Sequence, residues 1–239
     1  MSENLAATPR LERDGTVAVL NLGAGENRLN PDSTTAINAL LDEIEGGHYT
    51  AMVTAASGKI WCNGMDLPWL QGRFELGEQM LVGGELLSAR ILAFPVPTVA
   101  AVQGHAFGAG VILALAHDMR VMRIDRGFLC TPEVKFGGVF TPGNTTLLQA
   151  RMTPQAAHRM VVLGMRFSAP EALAANLIDE AVPADELLAR AVSLAASLGG
   201  DDRTAVRNLK RSLYPVPLAA LGQPTPPDLL ASLRTVTAQ

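Results

Sequence analysis

Apolar and polar positions alternate along RLERDGTVAVLNLG, residues 10–23, around a central Asp14-Gly15 pair, a hairpin signal leading into a strand over Val17–Leu22. Beyond Asn30 the spacing changes: Ile37, Leu40, Leu41 and Ile44 recur every three or four residues, predicting a helix capped by Asn30 or Asp32. YTAMVTAAS, residues 49–57, reads as a buried strand, and the glycine-broken stretch from Leu67 to Phe94 as irregular, then helical. VPTVAAVQG from Val96 predicts a further strand, followed by a glycine turn, a helix from about Ala109 to Ala116, and a strand over MRVMRID. Two more strand-like pieces bracket FLCTPEVKFGG. After Pro142 the pattern is helical, each segment starting near a capping residue. Alternating strands and helices that give way to helices alone predict an α/β core, residues 1–190, followed by a helical C-terminal region, 191–239.

Composition narrows the function classes. At 239 residues and 48% apolar content, the chain can bury one sizeable core. Nineteen basic residues against 23 acidic, scattered except for RTAVRNLKR at 203–211, predict no nucleic-acid surface. Cys62 and Cys130 are too few for a disulfide framework and lack metal-ligand spacing. They predict core thiols in a reducing compartment. MSENLAATPRLERDG carries acids and no apolar run, and no stretch reaches the length of a membrane span, so the expectation is a cytoplasmic protein with no membrane contact.

The informative element is GHAFGAGVILALAHD, residues 104–118, a glycine turn entering a helix with no charge before His117 and Asp118. A strand, a glycine turn and a helix can cradle a dinucleotide pyrophosphate. Here, however, the turn lies in mid-chain, and neither Tyr49 nor Tyr214 is followed four residues later by the lysine a short-chain dehydrogenase uses. A second glycine turn, SGKIWCNGMDLPWL at 57–70, follows the preceding strand. Two separated turns that each present a backbone N–H are what an oxyanion hole requires.

With its GMDL turn, its GHAFGAG turn and TPEVKFGG in that order, the chain resembles the enoyl-CoA hydratase/isomerase (crotonase) superfamily, from ENRLN at Glu26 to RNLKRSLY. The resemblance implies a spiral of β-β-α units, a helical trimerisation region, a homotrimer or dimer of trimers, and an acyl-CoA thioester as ligand, with no cofactor beyond the coenzyme A of the substrate and no metal. It implies that the N–H groups of Met65 and Ala109 hold the thioester oxygen, helped by the positive end of the helix. By position it assigns substrate and coenzyme A binding to Gly25, Glu26, Arg28, Lys59, Cys62, Gly64, Asp66, Leu67, Gly108 and Lys210, the last sharing its place with Arg211. Trp69, Ile112, Phe136 and Phe140 fall at acyl-pocket positions, with Val134 and Val139 as further apolar walls. Asp66 is also read as a cap, and Trp61 and Trp69 as packing residues.

Hydratases of the family use two glutamates. Ile112 stands where the first belongs, and the second is Glu133 after Pro132. Hydration needs both an activated water and proton delivery to carbon. One carboxylate among apolar walls instead suits a double-bond shift, and the pattern lies closest to single-glutamate 3,2-trans-enoyl-CoA isomerases of fatty-acid β-oxidation. The alternatives are a hydratase drawing a second acid from Glu75, Glu78 or Glu85, and a non-catalytic acyl-CoA-binding member. His105 is within reach of the site; His48, His117 and His158 read as surface or cap residues.

Overall fold

The structure, a computed structural model, describes residues 8–200 and 202–236. The hairpin forms as its pattern predicts: β1 (Arg10–Asp14) and β2 (Val17–Asn21) pair antiparallel around Gly15. The helix α1 (Pro31–Gly46) follows, capped by Asn30, whose Oδ1 accepts from Ser33 N while Ser33 Oγ accepts from Asn30 N, both at 2.9 Å.

From there the chain repeats one pattern: a long strand, a short strand, a helix. First come β3 (Ala51–Ala55), β4 (Ile60–Cys62), the single turn α2 (Leu67–Leu70) and α3 (Gly77–Leu92). The second round is β5 (Thr98–Val102), β6 (His105–Phe107) and α4 (Ala109–Ala116). The third is β7 (Met119–Arg123), β8 (Leu129–Cys130) and α5 (Pro142–Arg151). The long strands join one sheet in the order β1-β2-β3-β5-β7, parallel after the hairpin, and the short ones form a second parallel sheet, β4-β6-β8. Both sheets thus advance together, and each round delivers a turn to the same end of the small sheet.

Next follow α6 (Pro154–Ala157) and α7 (Ala169–Ala174), then β9 (Glu180–Val182), which closes the large sheet beside β7. After it α8 (Leu187–Leu198) packs on the sheet; residue 190 lies inside this helix. Strand alternation divides the core: Val17, Val19, Ala51, Val53, Val99, Ala101 and Val121 face α8, while Ala18, Leu20, Met52, Ala100, Val102 and Met122 face the main cluster containing α4. Two readings of strand placement need correction. β8 lies inside FLCTPEVKFGG, with no strand directly after it, and β9 lies in the part where helices alone were expected. β4 and β6, at three residues each, are too short for periodicity to reveal.

The chain ends in α9 (Arg203–Leu213), α10 (Pro215–Ala220) and α11 (Pro227–Val236). Lys210 fastens α9 to the core: its Nζ lies 2.5 Å from Asp118 Oδ2 and 3.1 Å from Val96 O, in a site only 9% exposed. Burial lowers its pKa, while the Asp118 charge opposes that shift. Lys210→Met should cost about 2 kcal/mol, below the 3–5 typical of a broken buried pair, because the Asp118 side chain keeps 29% exposure. Urea denaturation measures this; an unchanged midpoint would show that the pair contributes nothing. Among the described residues no helix is long and apolar enough to cross a membrane.

Candidate active site

Three turns converge on one cavity. The first is the Gly64-Met65-Asp66 turn after β4. Leu29 pairs with it as a parallel bridge, Leu29 N donating to Gly64 O at 2.8 Å and Asp66 N to Leu29 O at 2.9 Å. In such pairing the intervening residue turns its own N–H to the opposite side, so the Met65 donor faces away from Leu29. Asp66 then caps α2, its Oδ1 accepting from Trp69 N at 3.1 Å and its Oδ2 from Asn30 Nδ2 at 2.9 Å. Gly64 takes φ +76°, and a Cβ there would stand 2.7 Å from Phe107 O and 3.1 Å from Ala109 N. Only glycine lets the first turn lie directly on the second.

That second turn leads from β6 into α4. Gly108, at φ 53° and ψ −122°, precedes the helix, its N–H bonded to Cys130 O at 2.9 Å. Ala109 begins α4, so its N–H belongs to the first-turn donors that no intrahelical carbonyl can satisfy. Every residue from Gly110 to Ala116 is buried, and none brings a polar side chain. The helix therefore offers the cavity a backbone donor and its positive end, and nothing else.

The third turn follows β8. Pro132 starts a 3₁₀ turn, Glu133–Lys135, and the Glu133 carbonyl accepts from Phe136 N at 3.2 Å and Gly138 N at 2.8 Å. The Glu133 carboxylate lies against Gly108, with Oε1 2.7 Å from where a Cβ on Gly108 would stand. Its Oε2 is buried without a hydrogen-bond partner. Burial pushes this carboxyl up to about 7, against a smaller lowering by its own backbone N–H. A carboxyl so placed can accept and release a proton near neutrality.

The cavity holds about 260 Å³. Gly64, Met65, Leu67, Gly108, Ala109, Glu133, Phe136 and Phe140 line it, as does Arg28; further wall comes from Asn63, Leu81, Thr141, Asn144 and the α11 residues Leu229, Ser232 and Leu233. Among the described residues, Glu133 and Arg28 are the only charged ones lining it. Arg28 also borders an adjoining cleft of about 340 Å³ that contains Gly25, Glu26 and Asp66, and it pairs with Glu26 at 3.3 Å.

Other assigned residues stand elsewhere. Ile112 is 1% exposed inside the core cluster and does not reach the cavity. The Cys62 thiol is fully buried and pushed up to about 12, so only its backbone approaches the site, where its carbonyl abuts Gly110. Lys59 is exposed outside both cavities, Lys210 is committed to Asp118, and Trp69 lies outside the cavity under the Arg73 guanidinium, 5.2 Å from the ring centre. Val134 likewise points outward. His105 does not line the cavity; its ring stacks at 5.0 Å on Phe107 and 5.6 Å on Phe128. His117 is a core residue instead of a surface one: Nδ1 donates to Leu113 O at 2.8 Å, Nε2 accepts from Thr54 Oγ1 at 2.7 Å, and burial holds it down at about 4.

Among the described residues no second acid lines the cavity. Glu75 is exposed, and Glu78 accepts from Thr225 N at 3.3 Å. Glu85 sits one side chain behind the wall, accepting from the Thr141 hydroxyl and, at 2.8 Å, from Gly222 N. Residues that sequence reasoning missed fall into two groups. Asn63 and Thr141 adjoin motifs already singled out, whereas Leu229, Ser232 and Leu233 follow the i, i+3, i+4 spacing of one helix face.

The architecture recurs in known proteins. The family model described as enoyl-CoA hydratase/isomerase matches residues 12–216. Enoyl-CoA delta isomerase 2, peroxisomal, of Arabidopsis thaliana is 33% identical over 229 residues, covering 90% of this chain and 95% of its own. A probable enoyl-CoA hydratase of Mycobacterium tuberculosis superposes with a TM-score of 0.83 at 27% identity, covering 96% of this chain and 94% of the other. Human mitochondrial delta3-delta2-enoyl-CoA isomerase shares the fold at a TM-score of 0.83 and 20% identity, over 96% and 90% of the two chains. Matched by the family model over residues 12–216 and by a relative 33% identical over 229 residues, the chain belongs to the enoyl-CoA hydratase/isomerase family.

Proposed function

We propose that the protein is an enoyl-CoA delta-isomerase that converts 3-enoyl-CoA to trans-2-enoyl-CoA in fatty-acid β-oxidation, using Glu133 alone as proton shuttle. One observation carries the reading: among the described residues, Glu133 is the only carboxylate lining the cavity. The thioester oxygen accepts from the N–H groups of Met65 and Ala109. Glu133 removes a proton from C2; the C–H pair moves into conjugation, and negative charge collects on the thioester oxygen at the head of α4. The dienolate then collapses, its electrons forming the C2–C3 double bond while C4 takes the proton back from Glu133. Phe136, Val139, Phe140 and Leu81 keep water from quenching the dienolate.

The reaction needs no cofactor, coenzyme A being part of the substrate. In this reading Arg28 and the cleft beside it receive the coenzyme A portion. The exposed Leu209, Leu213 and Val216 on α9 and α10 support self-association, which we take to be a homotrimer or a dimer of trimers. The buried free thiols of Cys62 and Cys130 support a cytoplasmic setting.

Absorbance at the enoyl-thioester band tests the reaction. 3-Hexenoyl-CoA should gain the signal, and trans-2-hexenoyl-CoA in water should keep it. Loss of the signal from the second substrate would mean that water adds, and the hydratase reading would replace this one.

A further inference from the structure

Residues 222–236 are not a loose tail. Gly222 N donates to Glu85 Oε2 at 2.8 Å and Thr225 N to Glu78 Oε1 at 3.3 Å, so two carboxylates of α3 hold the segment entering α11. The other oxygen of Glu85 accepts from the Thr141 hydroxyl, itself a cavity wall. One buried carboxylate thus clasps the C-terminal arm to the loop that carries Phe140 and Thr141. Farther along, Leu233 packs over the start of α3, its Cδ1 3.2 Å from where a Cβ on Gly77 would stand. Leu229, Ser232 and Leu233 share one helix face, and that face lines the cavity together with Leu81 of α3.

From this arrangement we infer that α11 is the distal wall of the acyl pocket, and that Leu229 and Leu233 limit it to short chains. The inference rests on the acyl-CoA reading of the site. The cavity of about 260 Å³ must take the thioester as well as the chain. That volume also lies below the roughly 300–1,000 Å³ of pockets that enclose drug-sized ligands. A longer chain must displace the arm and with it the Glu85 and Glu78 bonds.

Calorimetric binding of saturated butanoyl-, hexanoyl- and decanoyl-CoA to the full chain tests this without turnover. Affinity should rise about fourfold per methylene from four to six carbons, as burial of each apolar group dictates, and fall at least tenfold below that trend at ten. Leu229→Ala/Leu233→Ala should tighten decanoyl-CoA at least tenfold while butanoyl-CoA stays within threefold. Leu233→Phe should act in reverse, weakening hexanoyl-CoA alone, so the idea remains testable if the double variant does not fold. Equal affinity for six and ten carbons in the parent protein, or a chain-length profile that neither variant moves, would overturn the inference and leave the acyl-CoA site standing. No binding of any acyl-CoA would overturn both.

Discussion

Glu133→Gln should lower kcat for 3-enoyl-CoA isomerisation about a thousandfold, within the roughly 10²–10⁴ that a positioned acid-base group supplies, while changing acyl-CoA affinity less than about threefold. The amide matches the carboxyl in size and can still lie against Gly108, so the cavity keeps its shape, but it cannot carry the proton from C2 to C4. The parent enzyme should lose kcat/KM below about pH 7, tenfold per pH unit, because burial raises this carboxyl to about 7 and only its ionised form can take the proton. The residual activity of the variant should lack that limb. Stability moves with the same proton. The folded chain binds it more tightly than an unfolded chain does, at the ordinary 4.5, so the stability that protonated Glu133 contributes is fully present below pH 4.5 and lost as pH rises through about 7. Glutamine removes the cost of the buried charge, and at pH 8 the variant should be the more stable by up to about 3 kcal/mol, the free-energy equivalent of holding this carboxyl at about 7 instead of 4.5. Turnover retained in Glu133→Gln would remove the single-carboxylate mechanism.

The machinery around Glu133 was legible because it is local. The α4 boundaries, Ala109–Ala116, follow from a glycine turn running into unbroken apolar residues, and the Asn30 cap and the Gly15 hairpin are short-range devices of the same kind. What escaped depends on distance along the chain. Nothing within α11 says that Leu229 and Leu233 close a cavity whose floor lies near residues 64 and 108, since that contact is made by α3 carboxylates more than a hundred residues earlier. Lys210 misled for a related reason: a lysine on a basic helix face reads as a phosphate contact until Asp118, 92 positions away, is seen to hold it. Trp69 stands beside the motif in sequence, yet the single turn of α2 carries its ring out toward Arg73, whereas Phe136 and Phe140, in the irregular loop after Glu133, point in. Reading Ile112 as the place of a missing acid required only the register of the motif. Its burial away from the cavity required the packed helix.

Gly108→Ala should be nearly as damaging as the loss of Glu133, for a reason that sequence similarity cannot supply. Gly108 sits at φ 53° and ψ −122°, a conformation that residues with a Cβ scarcely adopt, and the added methyl would stand 2.7 Å from Glu133 Oε1. Relaxing the backbone would rotate the Ala109 N–H, one of the two donors proposed for the thioester oxygen; relaxing the contact would push the base out of line with C2. Either response removes transition-state stabilisation, and losing one such donor alone costs about 10²–10³ in kcat. Strain by itself can be separated from this. Gly15 also has positive φ, +57°, but its Cβ would meet nothing within 4 Å, and it lies in the hairpin away from the cavity. Gly15→Ala should therefore lose stability, about 1 kcal/mol or more, at unchanged kcat, whereas Gly108→Ala should lose kcat at least a hundredfold in protein that remains folded by circular dichroism. Equal, small effects of the two substitutions on kcat would mean that the turn before α4 serves packing alone and that the thioester oxygen is held elsewhere.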